Sequence, residues 1–271
     1  MKVIIIVALY YPHYYEKVRK EILSIFSDFD FKVLFVDNSD KLLPENEPEH
    51  NVSWLKGSNA AGEFSAWDEG YAFINETSPS ADKDIIFFLN DTFCHHRVFT
   101  FYDRYLYRKA VRNCGEAEIY GEINSIGTTF AINQLPFTSW LSSYVFLSAR
   151  KNIDKVLPFN NTSAMSSEAH TMIESGLAMQ KVQVPMFSEN LNQHLSHWLF
   201  PINGKGWYNA GKTSSAILLF KLKAIINEKL LTYHALNNKL VVQDIYHGKI
   251  NRIYNSLRNK IYSCAKKYKM R

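Results

Sequence analysis

The sequence predicts an α/β fold, with a mostly parallel central sheet flanked by helices and a basic helical tail behind it. Three observations lead there. Residues 3–10, 31–36 and 85–89 are short apolar runs rich in β-branched and aromatic side chains. They show no polar alternation, which is the pattern of strands buried on both faces. Between them, Val18, Ile22, Ile25, Phe26 and Phe29, and then Phe64, Trp67, Tyr71 and Ile74, recur at helical spacing. A strand, a helix and a strand in quick succession form a crossover unit that favours parallel pairing. Finally, two of the runs end on an acid, in Asp37-Asn38-Ser39 and in Asn90-Asp91-Thr92. Open α/β sheets bind ligands at the carboxyl ends of their strands.

The remaining elements follow in order. Residues 40–51 hold two prolines and three glutamates and predict a surface loop. Residues 52–55 form a short strand, and 78–84 a turn. Residues 99–113 predict a basic amphipathic helix carrying Arg104, Arg108, Lys109 and Arg112. Residues 119–126 form a strand carrying Glu122, and 140–149 an apolar, aromatic strand. Residues 166–176 have helix-start chemistry, with Ser166 or Ser167 as cap, Glu168 in the first turn and Gly176 at the far end. A last strand is expected at 182–184. Residues 194–211 show no clear periodicity, while 216–231 and 250–268 predict helices.

Composition narrows the function classes. Of 271 residues, 46% are apolar and 21% charged, the make-up of a globular protein. Three cysteines without paired spacing argue against a disulfide scaffold and for a reducing compartment. The apolar run at 3–10 leads into Tyr10-Tyr11-Pro12-His13, which is no signal-peptide cleavage site, and no charge-free window reaches the length of a membrane span. The net charge of +5 is unevenly spread. Residues 212–271 carry 13 Lys/Arg against two acids, whereas residues 1–211 carry 18 against 24. This divides the chain into an expected catalytic domain, 1–211, and a basic amphipathic tail, 212–271. In the tail, Ile250, Ile253, Tyr254, Leu257, Ile261, Cys264 and Tyr268 form one stripe, a pattern suited to an anionic membrane surface. The location expected is therefore cytoplasmic and peripheral, at the inner face of the plasma membrane.

Asp37 and Asp91 are the candidate ligands for a nucleotide, at strand ends where one molecule could touch both. Between them lie Asn59, Gly62, Ala66, Asp68 and Gly70, at offsets 0, 3, 7, 9 and 11. Together these three parts resemble the GT-A-fold glycosyltransferases, in particular the large inverting family 2 type. That fold is Rossmann-like. In that family a strand ends in Asp-Asn-Ser, a segment of the form N-x-x-G-x-x-x-A-x-N-x-G follows, and an acidic motif closes the nucleotide half. Two positions depart: Asp68 stands where the family usually has Asn, and the acidic motif has one carboxylate instead of two. Asn90-Asp91-Thr92 is similar to the Asn-Asp-Ser of rhamnan-synthesis proteins, whose later Gln-Ser-Tyr-Phe segment resembles Ser142-Ser143-Tyr144-Val145-Phe146. The likeness covers roughly residues 1–200.

The resemblance implies transfer of a sugar from a nucleotide-sugar donor to a saccharide or lipid-linked saccharide acceptor in bacterial surface-polysaccharide assembly. Asp37, Asn38, Asn59, Gly62, Asp68, Asn90 and Asp91 would hold the donor. Asp91 would also hold Mg²⁺ or Mn²⁺ on the diphosphate, and Glu168, with Glu122 in reserve, would deprotonate the acceptor. The rival enzyme class is a nucleotidyltransferase or another nucleotide-binding α/β enzyme. It calls for a glycine-rich basic loop after the first strand, where Tyr10-Tyr11-Pro12-His13 stands. A basic nucleic-acid-binding protein is the non-enzymatic rival, but it needs its charge on the folded body, whereas here the body is acidic. No nucleic-acid partner is expected. The pairs His95-His96 and His194/His197 are read as structural, since adjacent residues point apart and an i, i+3 pair alone is a weak ligand set.

Overall fold

A computed structural model of the chain describes residues 1–42, 51–77, 81–95, 98–202, 206 and 213–269, with side chains described as far as Tyr262. The strands are β1 (Val3–Leu9), β2 (Phe31–Asp37), β3 (Val52–Lys56), β4 (Ile85–Asn90), β5 (Glu118–Asn124), β6 (Phe130–Ile132), β7 (Leu135–Phe137), β8 (Trp140–Ala149) and β9 (Val241–Asp244). The helices are α1 (Tyr15–Phe26), α2 (Glu63–Thr77), α3 (Phe101–Asn113), α4 (Arg150–Ile153), α5 (Ser167–Ala178), α6 (Glu189–Leu199), α7 (Ser215–Asn237) and α8 (Lys249–Lys269).

Seven strands form one sheet in the order β3-β2-β1-β4-β8-β5-β9. β8 alone runs against the others, antiparallel to both β4 and β5. Val3 of β1 stands opposite Phe31 of β2 and Ile85 of β4, so three apolar strands share one level. This is the mostly parallel α/β fold that the buried runs predict, with the Rossmann-like layering that the resemblance implies. Because side chains alternate along a strand, β1 sends Val3, Ile5, Val7 and Leu9 to one face and Ile4, Ile6 and Ala8 to the other. α1 and α3 cover the first face, while α2, α4 and the end of α7 cover the second. Gly70 lets α2 lie close to the sheet: a Cβ there would stand 2.7 Å from Ile6 Cγ2 and 3.0 Å from Val36 Cγ2.

Outside the sheet, the β6–β7 hairpin, α5, α6 and the first half of α7 enclose a third apolar cluster around Phe130, Ile173, Leu195 and Ile226. The hairpin strands have three residues each, too few to show a period. Residues 182–184 are not a strand. Val182 N–H donates to Ser196 Oγ at 2.8 Å and Val184 N–H to Asn192 Oδ1 at 3.0 Å, so side chains of α6 take the place of a strand partner. α6 itself begins at Glu189, ahead of the stretch in which no period was legible.

α7, β9 and α8, which belong to the expected tail, pack on elements of the expected body. α7 buries Leu222, Ile226, Leu230 and Leu231, and β9 is the edge strand of the main sheet, parallel to β5. The middle of α7 is enclosed, while Ile217 and Phe220 near its start and Leu236 near its end stay exposed. α8 is tied down as well, by Arg258, which donates to Asp103 Oδ1 at 2.7 Å and to Glu122 Oε2 at 3.4 Å. Glu122, the reserve base, is thereby held in a buried ion pair.

Candidate functional site

In the strand order, β1 lies between β2 and β4, so the chain leaves β1 toward one edge and later returns on its other side. The carboxyl ends of β1 and β4 therefore flank a topological switch point, where such sheets open a crevice. Asp91 follows β4 at this point. Its Oδ2 accepts the backbone N–H groups of Tyr10, at 2.7 Å, and Tyr11, at 2.6 Å, just past β1. Burial pushes the Asp91 carboxyl up to about 6; those two N–H groups oppose the rise and neighbouring Glu63 adds to it. The rings of Tyr10 and Tyr11, edge to face with centroids 5.0 Å apart, remain substantially exposed beside it.

Glu63, in the first turn of α2, links Asp91 to a second group of charges. Burial raises its pKa, Lys221 opposes the rise and Glu228 reinforces it. Its Oε1 lies 3.3 Å from Ser143 Oγ, whose hydroxyl also donates to Glu228 Oε2 at 2.9 Å. Glu228 is fully engaged. It accepts from Trp140 Nε1, from the Ser143 backbone N–H and from Lys229 Nζ, each at 2.9 Å. Burial would raise its pKa, but Lys229 and Ser143 hold it at about 2. Lys229 also lies 3.5 Å from the centre of the Trp140 ring. This group of residues thus holds one fixed anion, Glu228, and two carboxyls, Asp91 and Glu63, that bind a proton more readily than ordinary acids. Environments that separate the pKa values of neighbouring acids are how a fold assigns acid and base roles.

The other sequence-predicted residues fall into two groups. Asp37 stands at the same edge of the sheet, but both its oxygens are engaged: Oδ1 accepts from Ser39 N–H and Oγ, and Oδ2 from the N–H groups of Lys41 and Leu42. Burial alone would raise its pKa, yet these hydrogen bonds outweigh it and the net shift is downward. Asn38 donates to Gly62 O at 2.9 Å, which joins the end of β2 to the start of α2. Asn59 and Gly62 take φ values of +54° and +61° in that turn. Asn90 Oδ1 accepts from Thr92 N–H and Oγ1, an Asx turn that aims the following Asp91.

Asp68 and Glu168 are engaged by groups of their own surroundings. Asp68 accepts the backbone N–H groups of Phe159, at 2.7 Å, and Asn160, at 2.8 Å, so the acid in place of the family's Asn fastens a loop. Glu168 is exposed in the first turn of α5, and its helix-turn backbone and Ser166 hold its pKa down. Sequence reading passed over Glu63 and Glu228. Glu63 directly follows Gly62 of the quoted motif, so its place at a helix start was in view; the partners that shift its pKa were not.

Among the described residues, no three His, Cys, Asp or Glu side chains are grouped to hold a metal ion. Asp91 Oδ2 is taken by two backbone amides, and Glu63 and His13 act on the same carboxyl. His95 stacks on Tyr14 with centroids 3.7 Å apart, His96 lies outside the described residues, and His194 is exposed.

No family model and no curated protein matches the chain. One solved structure similar to it is a crystal structure of 4-diphosphocytidyl-2C-methyl-D-erythritol synthase, at 16% identity over 60% of this chain and 82% of that one, with a TM-score of 0.38. A likeness of this size carries no argument about activity.

Proposed function

We propose that the chain is a glycosyltransferase that moves a sugar from a nucleotide-sugar donor to a hydroxyl of a saccharide or lipid-linked saccharide acceptor. The observation that carries this reading is the Asp91–Glu63 pair at the switch point, between the exposed Tyr10 and Tyr11 rings and the Ser143–Glu228–Lys229 group. Aromatic faces suit a nucleobase or a sugar ring, and a carboxylate that binds its proton tightly suits a general base near neutral pH. The order of the Asp-Asn-Ser, glycine-containing and Asn-Asp-Thr segments supports the same class.

In the proposed reaction the acceptor oxygen attacks the anomeric carbon and its proton passes to the Glu63 carboxylate. The bond from the anomeric carbon to the phosphate oxygen breaks, and the nucleoside diphosphate departs with the electron pair. Lys221, the cation that acts on Glu63, lies on the side toward Glu228 and Lys229. Inversion follows from a single displacement. Glu63 takes the base role here in preference to Glu168 because Glu168 is solvated and held within its own helix turn.

The deciding assay incubates the full chain with UDP-, GDP- and dTDP-sugars, with and without Mn²⁺, and measures nucleoside diphosphate release and its dependence on added saccharide. Release that is lost in Asp91→Asn supports sugar transfer. Pyrophosphate release from a nucleoside triphosphate and a sugar phosphate would instead assign nucleotidyl transfer.

A further inference from the structure

Helix α8 presents its faces in the reverse of the usual arrangement. The side turned toward the body is polar. Tyr102 donates to Asn251 Oδ1 at 2.7 Å, Tyr254 donates to Asp103 Oδ2 at 2.6 Å, and Arg258 donates to Asp103 Oδ1 at 2.7 Å. The apolar stripe is turned to solvent: Ile250, Ile253, Leu257 and Ile261 are 77%, 52%, 54% and 62% exposed. Amphipathic helices of globular proteins ordinarily bury such a stripe. Here the buried Arg258–Asp103 pair fixes the rotation of the helix, so the stripe cannot roll inward without breaking an ion pair deep in the fold.

The charge around the stripe indicates what covers it. Exposed Lys249, Arg252 and Lys260 lie on the same helix, and α8 contains no acidic residue at all. Four more bases, Lys266, Lys267, Lys269 and Arg271, follow Ile261 in the sequence. α3, which is hydrogen-bonded to α8, adds exposed Phe101 and Tyr105. Among the described residues, no helix is long and apolar enough to cross a membrane. Aliphatic side chains in a row, on a helix whose charges are all cations, with Asp244 the neighbouring acid that acts on Arg252, complement an anionic bilayer surface, where the row enters the acyl boundary and the cations meet lipid phosphates.

We infer that α8 docks the protein on an anionic membrane surface through Ile250, Ile253, Leu257 and Ile261. The docking does not depend on the catalytic reading, since neither Asp91 nor Glu63 takes part. The test is co-sedimentation of the full chain with vesicles of phosphatidylglycerol and phosphatidylcholine, or of phosphatidylcholine alone. A second arm uses the Ile253→Glu/Leu257→Glu double variant, whose changes lie in solvent and whose fold is checked by thermal melting. The wild type should pellet with the anionic vesicles only and be released as salt rises. The double variant should show a partition coefficient lower by about tenfold or more. The inference is overturned if the wild type stays in the supernatant with anionic vesicles or if the folded double variant pellets equally. Self-association that the double variant abolishes, without vesicle binding, would likewise overturn it and assign the stripe to a second copy.

Discussion

Asp91 Oδ2 accepts the backbone N–H of Tyr11 at 2.6 Å, fastening the end of β4 to the turn after β1 across eighty residues of chain. The bond fixes one carboxylate oxygen toward the sheet, and it makes Asp91 structural as well as chemical. Asp91→Ala leaves this N–H and that of Tyr10 without their acceptor. We expect a loss of about 1–3 kcal/mol by denaturant titration, the worth of hydrogen bonds to a charged acceptor. Transfer should be abolished even in the fraction that remains folded.

The raised Asp91 pKa has a consequence for stability. The folded chain holds the proton more tightly, at about 6 against 3.8 for the ordinary carboxyl. A raised acid contributes stability that is complete below the unfolded pKa and is lost as pH rises through the folded one. The advantage of wild type over Asp91→Asn should therefore shrink between about pH 4 and pH 6 and stay level above it. Paired thermal melts at stepped pH measure this directly, and a gap that widens over that window would contradict the assignment.

Glu63→Gln keeps the shape of the side chain but cannot accept a proton. Turnover should fall by roughly 10²–10⁴-fold, as for loss of a general base, with donor affinity little changed. Glu168→Gln, changed in the solvated first turn of α5, should stay within a few-fold of wild type. Initial rates of the two variants decide between the bases: an inactive Glu168→Gln beside an active Glu63→Gln would reverse the roles.

Asp68→Ala tests a residue that the motif places with the donor and the packing places on a loop. Loss of its acceptors for Phe159 and Asn160 should cost about 1–3 kcal/mol in stability. The Michaelis constant for the donor should hardly move. A large rise in that constant at unchanged stability would return Asp68 to the donor site.

Removal of residues 212–271 should yield an insoluble or unfolded chain. It would strip α7 from two apolar clusters and β9 from the sheet edge, and expose Trp140 and the Glu228 partners. Loss of that many buried aliphatic groups, at about 2–5 kcal/mol for each large side chain, exceeds the stability of an ordinary domain. A soluble, cooperatively melting product cut after Gly211 would show that the body folds without α7.

What could be read from the chain alone is what depends on neighbours in sequence. β1, β2 and β4 are continuous apolar runs, α1, α2 and α3 have helical spacing, and Asp37 and Asp91 directly follow strand patterns, so each is legible within about ten residues. The same locality explains the misses: β6, β7 and β9 have three or four residues, too few for a period. An amphipathic stripe in α8 was visible too, but not whether it faced the body or the solvent. That was decided by Arg258 meeting Asp103, 155 residues earlier. In the same way Glu63 becomes a candidate base only because folding sets it beside Asp91 and Ser143, and Glu228 becomes a fixed anion only because Lys229, Trp140 and Ser143 converge on it. A carboxylate's chemistry follows from its burial and from the charges around it, and those are set by the packing of distant segments, which no local pattern encodes.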